Sequence, residues 1–386
     1  MASGSGRMPA VDEIARLSAM PTDLVTFWRS CTGIIAEAVP HYWTPCFFTL
    51  DPATLLVTSH FHEGLDEFPA EALAHEYYGD DVNKLVDVVR SSAGISTLHE
   101  ATDGDPSGSP RYRFNMSMGG DQELISRLRT KRGDTWGAVS LYREPGAPLF
   151  TAADKAFLQA IGPHLAAGAQ RAMAFGEAED PDTSDAPGLL VIDDTWKVRS
   201  TTPSAQAWLE RLSGAEASHE LPAAVVAVAA QGLQNGRDGD AAAVAFSRVP
   251  VGDGTWALLH GAPLHGEDER RVAVIIEPAH PARIHPLLMA AYGLTEREQD
   301  VVRLVLTGAS TAEISASLYI SGLTVQNHLK SVFEKTGVRS RRDLVGKIFF
   351  THYEPRVRDN EKRVLRGAAV RGGPIPPGDA AAARRL

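Results

Sequence analysis

The chain has 386 residues, 44% of them hydrophobic and 22% charged, which is enough apolar material for more than one core and an ordinary charge load for a globular protein. A formal net charge of −10, from 38 Lys and Arg against 48 Asp and Glu, excludes a protein that coats nucleic acid or anionic lipid along its whole length. The charge is divided: residues 293–386 hold 16 basic and 10 acidic side chains, a net of +6, leaving 22 against 38, a net of −16, before them. That asymmetry predicts a basic module attached to acidic ones. Two cysteines, Cys31 and Cys46, make neither a disulfide framework nor a CxxC metal spacing and read as reduced core thiols of a cytoplasmic protein. The N-terminus lacks a cationic segment followed by an apolar one, and the apolar run 221–230 is about half a bilayer span, so no secretory signal and no membrane association are expected.

Taken in order, residues 1–10 read as disordered. Leu24, Val25, Trp28, Cys31, Ile34, Ile35 and Ala38 recur at helical spacing across residues 22–39. The runs CFFTL and TLLVTSHF, separated by Asp51-Pro52-Ala53, predict two strands joined by a tight turn. The Gly/Ser/Pro-rich stretch 102–110 predicts a mobile loop, and residues 135–143 a further strand. Thr151 and Asp154 open a long helix with a capping-box-like pair, which gives out in the acidic, Pro-containing stretch that begins at residue 176. Residues 11–177 thus form one α/β domain and 178–187 a linker. Residues 188–280 predict a smaller α/β domain: a hairpin of GLLVI and WKVRS, helices near 203–213 and 222–233, and strands near 242–250, 255–262 and 271–277, with Gly252-Asp253-Gly254 as a hairpin turn. After a linker at 281–292 the pattern is purely helical over 293–350, and the basic tail 351–386, rich in Arg, Gly, Pro and Ala, reads as disordered.

The helical segment carries four helix starts. Thr295-x-x-Glu298 and Ser310-x-x-Glu313 are capping boxes, Ser321 and Ser340 are further cap candidates, and Gly308 and Gly337 sit where C-caps are expected. Helices over 311–318 and 322–335, joined by Tyr319-Ile320-Ser321, make a helix-turn-helix. On the second of them Val325, Leu329, Val332 and Phe333 have the spacing of a buried stripe, while Gln326, Asn327, Lys330 and Glu334 fall toward another face. Carboxamides donate and accept at once, which suits an adenine edge, and a lysine suits guanine acceptors or a phosphate.

This segment resembles the LuxR-type (GerE- or FixJ-type) DNA-binding domain of bacterial transcription regulators. The resemblance rests on L-T-x-R-E at 294–298, G-A-S-x-x-E-I-S at 308–315, I-S-x-x-T-V-x-x-H-L at 320–329 and K-x-G-V-x-S-R at 335–341, and spans about 57 residues. It implies a four-helix domain that binds double-stranded DNA as a homodimer, with RNA polymerase as a further partner. Gln326, Asn327 and Lys330 would be base-reading, Thr311, Ser321, Thr324 and His328 would lie at the phosphate backbone, and Glu298 would be a structural acid. Gln326 stands where the family usually has Lys, and Thr311-Ala312 where it usually has Asn-Lys. Lost positive charge of this kind predicts weaker nonspecific affinity and a shallower salt dependence.

By architecture, residues 11–177 resemble a GAF-type sensor domain and residues 188–280 a divergent PAS-like domain, which implies a small-molecule or protein signal of unspecified identity. The expected assembly is multidomain: an α/β GAF-like domain, a smaller α/β PAS-like domain and the all-α DNA-binding domain. No catalytic residue, metal or cofactor is expected. The alternatives are a metal-dependent enzyme using His60 and His62, which alternate on one strand near Glu63 and His75, and a regulator controlled by a protein partner. Leu189–Asp194 has the acidic start of a phosphoacceptor receiver, but no Lys follows between Lys197 and Lys330, so that reading fails.

Overall fold

The computed structural model describes residues 7–63, 69–174, 186–213, 221–240, 243–251, 256–264, 270–279 and 289–352. They form two compact units, one holding the described residues up to Pro278 and the other those from Ala279 onward.

The first unit begins with α1 (Arg7–Ala19), α2 (Leu24–Ala38), β1 (Cys46–Leu50), β2 (Val57–Phe61), α3 (Ala70–Ala74), α4 (Leu85–Arg90), β3 (Ile95–Thr97) and α5 (Leu98–Ala101). A 3-10 turn at Pro106–Gly108 leads to α6 (Pro110–Ser117), β4 (Gln122–Arg129), β5 (Thr135–Arg143) and α7 (Ala152–Ala174). The strands make one antiparallel sheet in the order β2-β1-β5-β4-β3. Its one face, with Phe47, Leu124, Leu128, Val139 and Leu141, packs on α1, α2 and α7, where Trp28 stacks on Phe47 at 4.5 Å between ring centres. Its other face, with Phe48, Ile125 and Tyr142, packs on the side of α3 and α4.

Three local outcomes differ from the sequence reading. Residues 7–10 are the first turn of α1, because the Arg7 side chain donates to the Ala38 carbonyl and pairs with Asp154. The stretch 102–110 is pinned: Asp81 accepts from the Ser109 hydroxyl at 2.9 Å and from the Arg111 backbone N–H at 2.8 Å. Strand β4 escaped the hydrophobic pattern because Glu123 lies inside it, 1% exposed; it accepts from Arg111 Nε at 2.6 Å, Asn83 at 3.2 Å and the Tyr142 hydroxyl at 3.1 Å. A buried charge needs such partners. Thr151 and Asp154 do exchange the two hydrogen bonds of the cap they suggested.

The same unit continues through β6 (Gly188–Asp193), β7 (Val198–Thr201), α8 (Pro203–Ser213), α9 (Ala223–Arg237), β8 (Ala245–Pro250), β9 (Trp256–Leu264) and β10 (Arg271–Pro278), a second antiparallel sheet in the order β7-β6-β10-β9-β8. The turn expected at 252–254 lies outside the described residues. Asp193 closes the β6–β7 turn by accepting from the Thr195 and Lys197 backbone N–H groups and from Arg199; burial works to raise its pKa, yet these bonds hold it at about 2.

Helix α9 is apolar all round and buried all round, from Ala224 through Ala230. One side packs on β8, β9 and β10, the other on β2 and α3 of the first sheet's lobe. Its approach to the second sheet is so close that a Cβ on Gly261 would lie 2.4 Å from the Val228 carbonyl oxygen. Gln234 accepts from the Gly79 backbone N–H at 3.1 Å and Arg237 pairs with Asp80 at 2.6 Å, so the two lobes share one core. No helix among the described residues is long and apolar enough to cross a membrane.

Candidate nucleic-acid interface

The second unit holds α10 (Glu296–Leu306), α11 (Thr311–Leu318), α12 (Gly322–Thr336) and α13 (Arg341–His352). Thr295 with Glu298 and Ser310 with Glu313 form complete capping boxes, the Ser321 hydroxyl accepts from the Thr324 backbone N–H at 3.0 Å, and Ser340 accepts from that of Asp343 at 3.1 Å. Gly337 ends α12 in the left-handed region, φ 69°. Between α11 and α12 the chain turns at Tyr319, which adopts φ 56° although it carries a side chain. The core is Leu294, Val301, Val302, Val305, Ile314, Val325, Leu329, Val332, Leu344 and Ile348.

Glu298 joins α10 to α12. Its carboxylate accepts from Lys335 Nζ at 2.5 and 2.6 Å, from the Ser331 hydroxyl at 2.7 Å and from the Thr295 backbone N–H at 2.7 Å. Burial works to raise its pKa, but Lys335, Ser331 and Thr295 together hold it at about 2.

With Val325, Leu329 and Val332 turned into the core, the opposite face of α12 is open, and it displays Gln326, Asn327, Lys330 and Glu334. Thr324 and His328 are half-buried beside it. Ser321 and Thr324 also bond to each other through their hydroxyls at 2.8 Å. Thr311 stands apart, on α11, where its hydroxyl accepts from Arg341 Nη2 at 3.0 Å while Arg341 Nη1 donates to the Ala309 carbonyl. Two residues that sequence reasoning passed over belong to this surface: Leu323, 73% exposed on the open face of α12, and Tyr319, 95% exposed at the turn. The signal for Leu323 was its spacing, three, four and seven residues before Gln326, Asn327 and Lys330.

The other candidates behave as structural groups. The His60 and His62 rings lie 4.7 Å apart, His60 stacks on Phe48, and burial together with His62 holds the His60 pKa down at about 3. Glu63 pairs with Arg29, and among the described residues no three His, Cys, Asp or Glu side chains come together as a metal group. Burial pushes the Cys31 and Cys46 thiols up to about 12.

Residues 293–347 match the model of the luxR family of bacterial regulatory proteins, described as GerE. The spore germination protein GerE of Bacillus subtilis is 40% identical over 52 residues, which are 14% of this chain and 70% of that protein. An HTH-type transcriptional regulator of Mycobacterium bovis is 33% identical over 190 residues, 46% of this chain, and the match spans only 21% of that longer protein. The chain is also similar to the solved structure of Escherichia coli SdiA, at 13% identity and a TM-score of 0.31, over 90% of this chain and 97% of that one.

Proposed function

Since the chain belongs to the luxR family of bacterial regulatory proteins, we propose that it is a sequence-specific DNA-binding transcriptional regulator whose N-terminal lobes receive a signal. The observation that carries this reading is the open face of α12, where two carboxamides and an ammonium stand side by side opposite a fully buried stripe. Set in a major groove, Gln326 and Asn327 read base edges and Lys330 reads a guanine or a phosphate. Ser321, Thr324, His328 and Thr311 flank that face and meet the phosphate backbone, while Glu298 holds α12 against α10. Two copies read half-sites about one helical turn apart. The GAF-like and PAS-like lobes take up a small molecule or a protein and change the affinity of the pair for DNA; RNA polymerase is the partner downstream.

Selection from random duplex DNA, followed by titration at several salt concentrations, tests the reading. A defined, dyad-symmetric site is expected, with Gln326→Ala and Asn327→Ala each losing about 1–3 kcal/mol of discrimination at one base pair. Binding of equal strength to every sequence, or to none, overturns it.

A further inference from the structure

The inner face of the second sheet is filled by α9, whereas its outer face carries an apolar row that crosses four strands in register. Phe246 of β8 lies opposite His260 of β9, His260 opposite Ile275 of β10, and Ile275 opposite Leu189 of β6. Phe246, Ile275 and Leu189 are 39%, 41% and 40% exposed, and Val244 and Leu264 extend the patch. The next row toward Arg271 is small: Ala262, Ala273 and Val191, again paired across β9, β10 and β6. A contiguous exposed apolar surface of this kind marks an interaction site.

We propose that this outer face is where two copies of the chain pair. The inference deepens the two-copy reading above and rests on it, and the face itself argues for a second copy as the occupant. Along β10 the outward side chains run Arg271, Ala273, Ile275, Glu277: basic at one end, acidic at the other, apolar between. A two-fold axis lying across the strands between Ala273 and Ile275 sets the two copies of β10 antiparallel. Arg271 then lies opposite the partner's Glu277, and the reverse, so both charged ends are satisfied by one operation. The same operation lays the large row of Phe246, His260, Ile275 and Leu189 over the small row of Ala262, Ala273 and Val191 in the other copy. Large side chains over small ones are what two sheets need to approach to about 10 Å.

The full-length protein is examined without DNA by sedimentation equilibrium. A dimer is expected for the wild type, with Ile275→Arg raising its dissociation constant ~30-fold or more, as for a buried hot-spot residue. Arg271→Glu and Glu277→Arg are each expected to weaken it ~10-fold, and the two substitutions together to restore it. The charge swap keeps the test decisive should Ile275→Arg melt at a lower temperature. A wild type that stays monomeric at micromolar concentration, an Ile275→Arg dimer of unchanged affinity, or a double variant no tighter than the singles overturns the proposal. An intact dimer that shows no preference among DNA sequences overturns the DNA reading instead and leaves this one standing.

Discussion

Asp51, just beyond the end of β1, accepts three hydrogen bonds from a single residue of the second sheet: the Arg248 backbone N–H at 3.0 Å, its Nε at 2.8 Å and its Nη2 at 2.6 Å. Asp51 is fully buried and Arg248 is 9% exposed, so the pair is a desolvated clasp between the two lobes of the first unit. The other Asp51 groups hold its own turn, with the Ala53 backbone N–H on Oδ1 and the Leu55 backbone N–H on the main-chain carbonyl.

Removing one member strands a buried charge. Arg248→Met is expected to destabilise the first unit by about 3–5 kcal/mol, and Asp51→Asn combined with Arg248→Met to recover a large part of that loss. Thermal unfolding of the single and double variants measures it; additive losses would show that the two residues do not act as a pair.

Leu323 offers an apolar surface beside two amide readers, and the apolar feature of the major groove is the thymine methyl group. At one or more thymines of the selected site, replacement by uracil is expected to weaken wild-type binding by about 0.8 kcal/mol, the worth of one buried methyl. The Leu323→Ala variant is expected to bind both DNAs alike. Fluorescence anisotropy on the paired probes reads this out, and equal uracil sensitivity in the variant contradicts it.

Glu298 makes the second unit acid-sensitive. Its folded pKa, about 2, lies below the ordinary carboxylate value of 4.5, so its contribution is present in full above pH 4.5 and fades as pH falls toward 2. Lys335 is partly open to solvent, which limits the contribution to about 2 kcal/mol. In Glu298→Gln the second unit is expected to lose that stability at pH 7 and to show a flatter pH dependence between 5 and 2, followed by helical circular dichroism during denaturant titration. A variant with the wild-type pH profile assigns the sensitivity elsewhere.

Both thiols are buried and pushed up to about 12, so neither supplies thiolate near neutral pH. Iodoacetamide at pH 8 is expected to leave Cys31 and Cys46 unmodified in the folded protein and to alkylate both in denaturant, as resolved by peptide mass spectrometry. Rapid native labelling of either would reopen its reading as a redox group.

The helix-turn-helix was legible because its signals are local. Caps at Thr295, Ser310, Ser321 and Ser340 and the glycine at 337 define every helix without reference to anything distant. The turn residue Tyr319 was not readable as left-handed, since that conformation usually selects Gly or Asn. In the first unit the strands of alternating or apolar composition were visible, but β4 was hidden by Glu123, whose partner Arg111 is brought to it by folding. Asp51 followed the same logic: next to Pro52 it looks like an ordinary turn acid, and only the packed lobes show Arg248 closing on it. The base-reading assignment of Gln326 and Asn327 came from spacing plus resemblance, and the burial of their neighbours accounts for why that face is open.

Helix α9 has a bearing on how this chain can be rearranged. Because its two flanks answer to different sheets, neither lobe carries a finished surface of its own. Cutting between residues 174 and 186 would uncover a helix of valine and alanine on one piece and the flank of β2 and α3 on the other. Swapping the first lobe for that of another regulator would therefore demand a matching α9, Asp51 clasp included. The natural unit of exchange is the whole stretch up to Pro278, inherited or replaced as one piece.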